Sequence, residues 1–300
     1  MSIEKLISTL GSHGIEYKIN MPSAPLSTFR IGGECAVGIF PGNKEEMIAS
    51  VRAAVDHGVR YTVLGRGSNV LFPDSRYDGA LIFTSRMAQI RPESETIYAE
   101  AGVGLGALTG CAAENGLSGL EFAYGIPGSL GGAVFMNAGA YGGEMKDVTL
   151  YSDYYDPAAD RVGRFSGDEQ EFSYRKSVYC RRDDLVILGA AISLKRGNES
   201  DIRALMSENA RKRREKQPSE PSAGSTFKRP ENRFAAQMID ECGLKGYTLG
   251  GAAVSEKHAG FIVNKGGATS KDVKELMEYV ADRVFERFGI RLEKEIRFID

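Results

Sequence analysis

The sequence lacks tryptophan and contains little cysteine or histidine. The absence of tryptophan decides nothing about function, but the other two shortages bear on metal binding. The cysteines and histidines are Cys35, Cys111, Cys180, Cys242, His13, His57 and His258. No two cysteines have the spacing of a zinc site or form a CxxC pair, and the histidines are scattered. We therefore expect no metal centre, and we expect the thiols to be buried or idle.

Long apolar runs are also missing. No stretch of the sequence approaches the length of about 18 apolar residues that a membrane-spanning helix needs, so we expect no membrane partner. The opening segment MSIEKLISTLGSHG mixes charges and lacks the apolar core of a signal peptide. These two shortages predict a cytoplasmic protein.

Neither sign of charge is in excess. The 38 Lys and Arg residues are balanced by 40 Asp and Glu residues, which leaves a formal net charge of -2. Because nucleic-acid binding usually depends on a strongly basic surface, we expect no nucleic-acid partner. The sequence does not reveal the oligomeric state, and a monomer is our expectation.

Glycine, by contrast, is abundant. It accounts for 36 of the 300 residues, against a usual share of about 7%. The glycines cluster in loops and follow no repeat. Glycine lets backbone N–H groups come close to a bound group, so such loops favour phosphate or cofactor binding.

The first part of the chain alternates helices, strands and glycine loops. Residues 43–58 predict an amphipathic helix that Asn43 can cap and that Gly58 ends. Alternating stretches between residues 148 and 196 predict antiparallel strands. The other predicted elements are strands at 61–64, 80–85 and 96–103 and a helix at 104–115.

Composition changes near residue 198, and we place a domain boundary just before it. The segment that follows begins as a helix, becomes very basic, and breaks at Pro218 and Pro221. With 300 residues, the chain is long enough for two domains.

The most complete helix pattern of the sequence lies near the C-terminus. Thr269 and Asp272 fit a capping box, an apolar stripe follows at helical spacing, and Gly289 closes the pattern. After it, residues 291–299 alternate in character and predict a final strand with one charged face.

Two glycine-rich loops are the main candidates for cofactor binding. Residues 65–69, GRGSN, follow a strand and match neither a P-loop nor a Rossmann fingerprint, so a tight turn explains them equally well. Residues 125–133, GIPGSLGGA, hold so many small residues that a backbone cradle for a pyrophosphate is the better interpretation. The two loops together can grip one extended dinucleotide, and the hydroxyls of Ser68 and Ser129 can add donors.

Three polar residues and one basic run are further candidates, each with an ordinary alternative. Arg175 offers a fork that matches a carboxylate, but it can also be a surface arginine. Ser225 follows a Pro-Ser-Ala-Gly turn without the GxSxG elbow of hydrolases, and Glu295 can be a solvated residue of a terminal strand. The basic run 211–216 is either a solvated helix face or a site for a diphosphate.

Eight motifs in order resemble one known family. They are LSTFRIGG, LGRGSNVL, GLEFAYGIPGSLGGAVFMNAGAYGGE, FSYRKS, REKQPSEPSAGSTFKRP, GLKG, HAGFIVNKGGAT and LEKEIRFI. The chain resembles the UDP-N-acetylenolpyruvoylglucosamine reductases over nearly its whole length. The compact spacing between FSYRKS and PSAGS is similar to the shorter subtype of that family.

The resemblance implies an α+β fold with two domains. Residues 1–197 would form an FAD-binding domain of the vanillyl-alcohol-oxidase (PCMH) type, with subdomains at about 17–85 and 86–197. Residues 198–300 would form a C-terminal α+β substrate-binding domain. The implied activity is the NADPH-dependent reduction of UDP-N-acetylglucosamine enolpyruvate to UDP-N-acetylmuramate through FAD, in peptidoglycan precursor synthesis.

The resemblance also assigns site residues. The implied catalytic group is Arg175, Ser225 and Glu295. The residues implied to bind FAD lie in the segments 28–33, 65–69 and 125–133, and they are Arg30, Gly65, Arg66, Gly67, Ser68, Asn69, Gly125, Ile126, Pro127, Gly128, Ser129, Gly131, Gly132 and Ala133. The residues implied to lie near the substrate are Tyr174, Arg213, Arg214, Lys228, Arg229 and Lys245.

Two positions depart from the family pattern. Arg229 stands where the family usually has an asparagine that helps to hold the substrate, and Arg66 replaces the middle glycine of the first loop. Two other functions remain open at this point. One is a flavin-dependent oxidase with the same cofactor fold, and the other is a UDP-sugar-binding module without catalysis.

Overall fold

Residues 2–300, which the computed structural model describes, form seven α-helices and eighteen β-strands. The helices are α1 (Ser2–Ser12), α2 (Lys44–Asp56), α3 (Leu105–Glu114), α4 (Leu130–Phe135), α5 (Glu199–Lys216), α6 (Ala235–Glu241) and α7 (Ser270–Phe288). The strands are β1 (Tyr17–Pro22), β2 (Glu34–Ile39), β3 (Tyr61–Leu64), β4 (Val70–Leu71), β5 (Tyr77–Phe83), β6 (Ile90–Glu93), β7 (Thr96–Glu100), β8 (Leu117–Ser118), β9 (Gly139–Ala140), β10 (Gly143–Glu144), β11 (Thr149–Asp156), β12 (Arg161–Ser166), β13 (Val186–Ser193), β14 (Lys195–Arg196), β15 (Thr248–Leu249), β16 (Ala252–Val254), β17 (Ile262–Asn264) and β18 (Arg297–Phe298).

The chain divides into two compact units, each made of three separate segments. The first unit comprises Met1–Ile19, Val37–Arg66 and Gly79–Arg213, and the second comprises Asn20–Ala36, Gly67–Asp78 and Arg214–Asp300. These units describe how the backbone clusters. The functional domain limits expected from the sequence, at residues 197 and 198, stay a prediction.

An antiparallel sheet of five strands, in the order β12-β11-β13-β7-β6, dominates the first unit. The strands predicted between residues 148 and 196 supply three of its five strands, and β11 pairs with both β12 and β13. Tyr154, Phe165 and Tyr179 pack their rings together on it, and Tyr154 and Phe165 stack at 4.4 Å. This aromatic cluster and the buried side chains of α3 and α4 form the largest core of the chain.

A four-stranded sheet in the order β1-β2-β5-β3 contains the parallel pair that positions the first glycine loop. Asn43 caps the preceding helix α2 by accepting from Glu46 N at 2.8 Å, as predicted. Strand β3 then pairs in parallel with β5, with Leu64 opposite Phe83. Gly65 and Thr84 therefore leave the sheet at the same edge. The second of these strands ends at Phe83, two residues earlier than predicted.

Helix α7 is the main helix of the second unit, and it begins and ends where the sequence indicates. Thr269 Oγ1 accepts from Asp272 N at 3.0 Å, and the Asp272 carboxylate accepts from Thr269 N at 3.0 Å. The Asp272 carboxylate also accepts from Gly251 N at 3.1 Å, and these two backbone donors, Thr269 N and Gly251 N, lower the pKa of Asp272. Gly289 ends the helix in the left-handed conformation, with φ +69°. Helix α7 packs its buried stripe on the three-stranded sheet β15-β16-β17.

The predicted final strand at 291–299 is wrong over most of its length. Only Arg297–Phe298 forms a strand, paired in parallel with β4, and Lys294 forms a single antiparallel bridge with Phe227. The segment changes partner along its course, so no continuous ladder forms. Lys294, which the alternation placed on the apolar face, is exposed and donates to Glu278 at 2.7 Å.

Two classes of feature are missing from the described part of the chain. No helix within residues 2–300 has the length and apolar character needed to cross a membrane. The same residues contain no cluster of three or more His, Cys, Asp and Glu side chains able to hold a metal ion.

Candidate active site

The two glycine loops meet in the first unit. A Cβ added to Gly65 would lie 2.2 Å from Ser129 Oγ, so the Ser129 side chain in its present position leaves no room for a larger residue. Gly104 forms a backbone bridge with Ser129, and Leu105 N donates to Gly128 O at 3.1 Å. The structure thus brings Gly65 and Ser129, two predicted cofactor residues from distant parts of the sequence, into direct contact.

Other close backbone approaches surround this contact. A Cβ on Gly102 would lie 1.6 Å from Thr84 O, and one on Gly131 would lie 2.9 Å from Ala101 Cβ. Gly131 N also donates to Ala101 O at 2.9 Å. Together these contacts build a cradle of backbone with few side chains. Sequence reasoning missed Gly102 and Thr84, whose only signal is their place at the ends of two predicted strands.

Thr84 carries a buried hydroxyl in this cradle. Thr84 is 4% exposed, and its Oγ1 has no hydrogen-bond partner among residues 2–300. Burying a hydroxyl without a partner costs roughly 1–3 kcal/mol, so such a group commonly marks a position that a ligand or an ordered water completes.

Arg66 is the predicted cofactor residue that departs from the family pattern. Its side chain is exposed, and its guanidinium carbon would lie 2.9 Å from a Cβ on Gly104. The Arg66 guanidinium therefore lies over Gly104 in the first unit.

The remaining residues of the first loop lie in the second unit. Gly67 has φ +61°, and a Cβ there would lie 2.2 Å from Leu26 O. Within the described chain, no residue accepts from the backbone N–H groups of Gly67, Ser68 or Asn69. Successive N–H groups of this kind can bind an anion. The Asn69 side chain has a partner of its own, because its Nδ2 donates to Glu295 O at 3.2 Å.

Ser27 lies beside this part of the loop, although sequence reasoning did not single it out. It is 6% exposed, and its Oγ has no hydrogen-bond partner in the described part of the chain. Arg30, which the sequence did indicate, is exposed and has φ +55°. Its N–H donates to Ser27 O at 3.3 Å, and its carbonyl accepts from Asn264 Nδ2 at 3.3 Å.

Arg175 occupies a strained turn of the first unit. Ser173 and Lys176 exchange backbone hydrogen bonds at 3.0 and 3.1 Å, and Arg175 is the third residue of the turn, with φ +56°. Glycine or asparagine is the usual residue at that position. The Arg175 guanidinium lies 5.1 Å from the ring of Tyr174, and its Nη2 donates to Gly139 O at 3.3 Å.

Helix α5 contains the predicted basic run. The helix packs beside the start of the second glycine loop through Arg213. Asn209 is buried, and its Nδ2 donates to Glu121 O at 3.1 Å. One turn later, Arg213 Cδ would lie 3.4 Å from a Cβ on Gly125, and the guanidinium lies 5.8 Å from the ring of Tyr141. Burial lowers the pKa of Arg213, but a guanidinium remains charged at neutral pH.

Ser225 and Glu295 lie on paired backbone segments of the second unit. Glu295 N donates to Thr226 O at 2.9 Å, so Ser225 directly precedes the residue that pairs with Glu295. Ser225 is exposed and follows Gly224, whose φ of +78° turns the chain. Thr226 is buried, and its Oγ1 accepts from Ile262 N at 3.0 Å.

The remaining substrate candidates of the second unit contact separate neighbours. Lys228 forms an ion pair with Glu293 at 3.2 Å, and Lys245 forms one with Asp240 at 2.6 Å. Arg229 lies 5.3 Å from the ring of Phe234, which is 59% exposed. Arg214 is exposed, and its carbonyl accepts from Lys257 Nζ at 2.6 Å. Each of these cations contacts a different neighbour.

Comparison with known proteins covers nearly the whole chain. Residues 217–299 match the family described as UDP-N-acetylenolpyruvoylglucosamine reductase, C-terminal domain, and residues 36–161 match the FAD binding domain family. A curated UDP-N-acetylenolpyruvoylglucosamine reductase from Caldicellulosiruptor bescii is 45% identical over 293 residues, which is 97% of this chain and 93% of the relative. One from Syntrophomonas wolfei is 45% identical over 284 residues, 94% of each chain.

Solved structures agree with these relatives. The crystal structure of UDP-N-acetylenolpyruvylglucosamine reductase from Thermus caldophilus matches with a TM-score of 0.80 and 33% identity, covering 95% of this chain and 99% of that one. Berberine bridge enzyme from Eschscholzia californica matches with a TM-score of 0.51 and 18% identity, over 65% of this chain and 44% of that one. The second likeness concerns the fold alone.

Proposed function

This chain belongs to the UDP-N-acetylenolpyruvoylglucosamine reductase family and is an FAD-dependent UDP-N-acetylmuramate dehydrogenase of peptidoglycan synthesis; we propose that NADPH is its hydride donor and that Arg175, Ser225 and Glu295 form its catalytic group. The fold is the predicted α+β fold, with an FAD-binding domain and a C-terminal reductase domain.

The residues on both glycine loops fit FAD. The contact of Gly65 with Ser129 is part of a cradle with few side chains, and the N–H groups of Gly67 to Asn69 suit a diphosphate. The buried hydroxyls of Thr84 and Ser27 suit polar atoms of such a ligand. We propose that FAD is held by Arg30, Gly65, Arg66, Gly67, Ser68, Asn69, Gly125, Ile126, Pro127, Gly128, Ser129, Gly131, Gly132 and Ala133. When bound, FAD supplies hydride transfer from the nicotinamide donor to the substrate.

Arg175 is suited to the carboxylate of the enolpyruvyl group. Reduction of the terminal alkene carbon develops negative charge on the neighbouring carbon and in the carboxylate. A guanidinium that is already oriented stabilises that charge without reorganising during the reaction. The hydrogen bond to Gly139 O and the turn around Arg175 supply this orientation, and the φ of +56° is the strain that such a fixed position requires.

Ser225 and Glu295 are suited to the proton that completes the reaction. Ser225 holds a proton at Oγ and transfers it to the carbon that carries the negative charge, and a relay from solvent replaces it. Glu295, in its protonated form, donates to the developing anion. The pairing of Glu295 N with Thr226 O is the observation that carries this assignment, because it fixes the two residues on neighbouring backbones.

We propose that the UDP-sugar is bound by the basic and aromatic residues that the family resemblance indicates. They are Tyr174, Arg213, Arg214, Lys228, Arg229 and Lys245. Tyr174 is 39% exposed beside Arg175, so its ring is available to a sugar. Arg229 replaces the family asparagine with a cation, which suits a diphosphate. We further propose that the protein works in the cytoplasm as a monomer, and sedimentation of the purified holoenzyme tests the second point.

The choice of hydride donor has a direct test. Mixed anaerobically with the holoenzyme at equal concentrations, NADPH is expected to bleach the flavin at least about tenfold faster than NADH, since a 2′-phosphate contact of about 1.4 kcal/mol is enough for that ratio. The measurement is flavin absorbance against time for each donor. Equal bleaching rates with the two donors would mean that NADPH is not the specific donor, and the assignment of the chain as a reductase would stand.

A further inference from the structure

Asn137 is a fully buried polar residue that the proposed mechanism does not use. It is 0% exposed, and its backbone lies in the left-handed region, with φ +43°, where asparagine is better tolerated than most residues. Its Nδ2 donates to Ser173 O and to Glu144 Oε2, both at 2.9 Å, and its Oδ1 accepts from Lys146 N at 2.9 Å. A buried amide with three partners fixes the segments that it joins.

One of these bonds fixes the backbone of Arg175. Ser173 opens the turn in which Arg175 is the third residue, and Ser173 O accepts from both Asn137 Nδ2 and Lys176 N. A non-glycine residue with positive φ persists only where its surroundings hold it in place. The Asn137 carboxamide is the side chain that ties the first residue of this turn to the rest of the first unit.

A second bond acts on the guanidinium. Arg175 Nη2 donates to Gly139 O at 3.3 Å, and Gly139 on β9 pairs with Glu144 on β10. The Glu144 carboxylate accepts from Asn137 Nδ2. Asn137 therefore also holds the β9-β10 hairpin, whose Gly139 O accepts from the Arg175 guanidinium. One side chain thus contacts the turn that carries the Arg175 backbone and the hairpin that orients its guanidinium.

We propose that Asn137 is a positioning residue for the reduction, acting through Arg175. It holds the turn that carries Arg175 and the carbonyl that orients its guanidinium, so that the cation meets the substrate carboxylate in one geometry. The inference rests on the proposed role of Arg175. Two charged residues contact the Asn137 carboxamide: the Glu144 carboxylate accepts from it, and the backbone N–H of Lys146 donates to it. Lys146 Nζ lies 3.0 Å from Glu144 Oε2.

The first test is Asn137→Gly, which tolerates the backbone φ and removes the carboxamide. In the holoenzyme, reoxidation of the flavin by UDP-N-acetylglucosamine enolpyruvate is expected to slow by roughly 10- to 100-fold, as for a misplaced reacting group, with reduction by NADPH within about twofold of wild type. Amide hydrogen exchange at Lys176 should also rise, because Ser173 O loses its second donor. Unchanged reoxidation would overturn the inference.

A double-mutant cycle tests whether Asn137 acts through Arg175. If it does, Arg175→Ala with Asn137→Gly is expected to reoxidise within about twofold of Arg175→Ala alone, because positioning is lost together with its target. If the double variant instead slowed reoxidation by the product of the two single effects, the inference would be contradicted. If Arg175→Ala itself leaves reoxidation unchanged, the proposed function of Arg175 fails. If Arg175→Ala slows reoxidation but Asn137→Gly does not, the positioning role of Asn137 is wrong, and the proposed function of Arg175 stands.

Asn137→Asp supplies a rescue by pH. At neutral pH the introduced carboxylate repels Ser173 O and Glu144, so reoxidation is slow. A protonated carboxyl has one donor in place of the two of the amide and can restore the bond to Ser173 O, so the rate relative to wild type is expected to recover in part as the pH falls. If the reoxidation rate of Asn137→Asp followed the same pH dependence as that of the wild type, the proposal would be contradicted.

Ser50→Ala is the matched control for these variants. Ser50 is 0% exposed and donates to Glu46 O at 2.7 Å on helix α2. Its removal deletes a buried hydrogen bond of ordinary strength and is expected to leave both half-reactions unchanged. Equal slowing of reoxidation in Ser50→Ala and Asn137→Gly would mean that general destabilisation is the cause, which overturns the positioning role.

Discussion

Ser225→Ala is expected to slow reduction of the enolpyruvyl substrate by about 10²- to 10⁴-fold, the usual contribution of a side chain that transfers a proton in the transition state. A methyl group can neither hold nor release a proton at the reacting carbon. With NADPH as the proposed donor, delivery of hydride to the flavin does not use this proton, so reduction of the flavin should stay near the wild-type rate. Stopped-flow absorbance of the flavin measures each half-reaction separately.

Ser219→Ala is the control for this prediction. Ser219 is an exposed serine of the segment that precedes Ser225, and it lies outside the proposed catalytic group. Both half-reactions should be unchanged in it. If Ser225→Ala slowed the two half-reactions equally, Ser225 would act on the flavin or on the fold, and its assignment as the proton donor would be wrong.

Gly65→Ala is expected to release much of the FAD. The added Cβ would lie 2.2 Å from Ser129 Oγ and 3.3 Å from Ser129 Cβ, so either the Ser129 side chain must rotate away from its cap on helix α4 or the two glycine loops must move apart. Overpacking of this kind costs typically about 1–3 kcal/mol, which corresponds to roughly 5- to 150-fold weaker binding. The flavin absorbance that stays with the protein through gel filtration, and the dissociation constant from fluorescence titration of the apoprotein, measure the effect.

Gly106→Ala provides the comparison, since Gly106 lies in helix α3 and a Cβ there meets nothing within 4 Å. Alanine in a helix is favoured over glycine by about 1 kcal/mol, so this variant should be slightly more stable and keep its FAD. Full retention of FAD by Gly65→Ala as well would show that the contact between the loops is not part of the cofactor site.

Local signals were sufficient where an element is determined by its own residues. Helix α7 has its capping box at Thr269 and Asp272, its apolar stripe and its closing glycine all within one segment, and each is found as predicted. Residues 291–299 could not be predicted in the same way. Their partners are Phe227 and the segment around Val70, and neither pairing is visible in the pattern of the final segment.

The candidate site was predictable in its parts but not in its contacts. The glycine loops and the three catalytic candidates could be named from motifs, and their roles stay a prediction. The contact of Gly65 with Ser129 and the buried hydroxyl of Ser27 depend on segments far apart in the chain. The same holds for Asn137, which stands in a quoted motif yet acquires its partners, Ser173 and Glu144, only through folding.

The two compact units illustrate the same limit. A change in composition near residue 198 suggested one boundary, whereas the backbone clusters into units of three segments each, and helix α5 contributes Arg213 to the first and Arg214 to the second. Composition reports the local character of a segment. It carries no information on which distant segments, such as 20–36 and 67–78, pack with the C-terminal part of the chain.

The most direct test is an anaerobic pair of half-reactions on the purified holoenzyme. Flavin absorbance is followed first on addition of NADPH and then on addition of UDP-N-acetylglucosamine enolpyruvate. We expect NADPH to bleach the flavin band and the enolpyruvyl substrate to restore it, with UDP-N-acetylmuramate as the product. Bleaching without recovery would mean that the protein is a flavoprotein with a different electron acceptor. A purified protein without a flavin band would contradict FAD dependence itself.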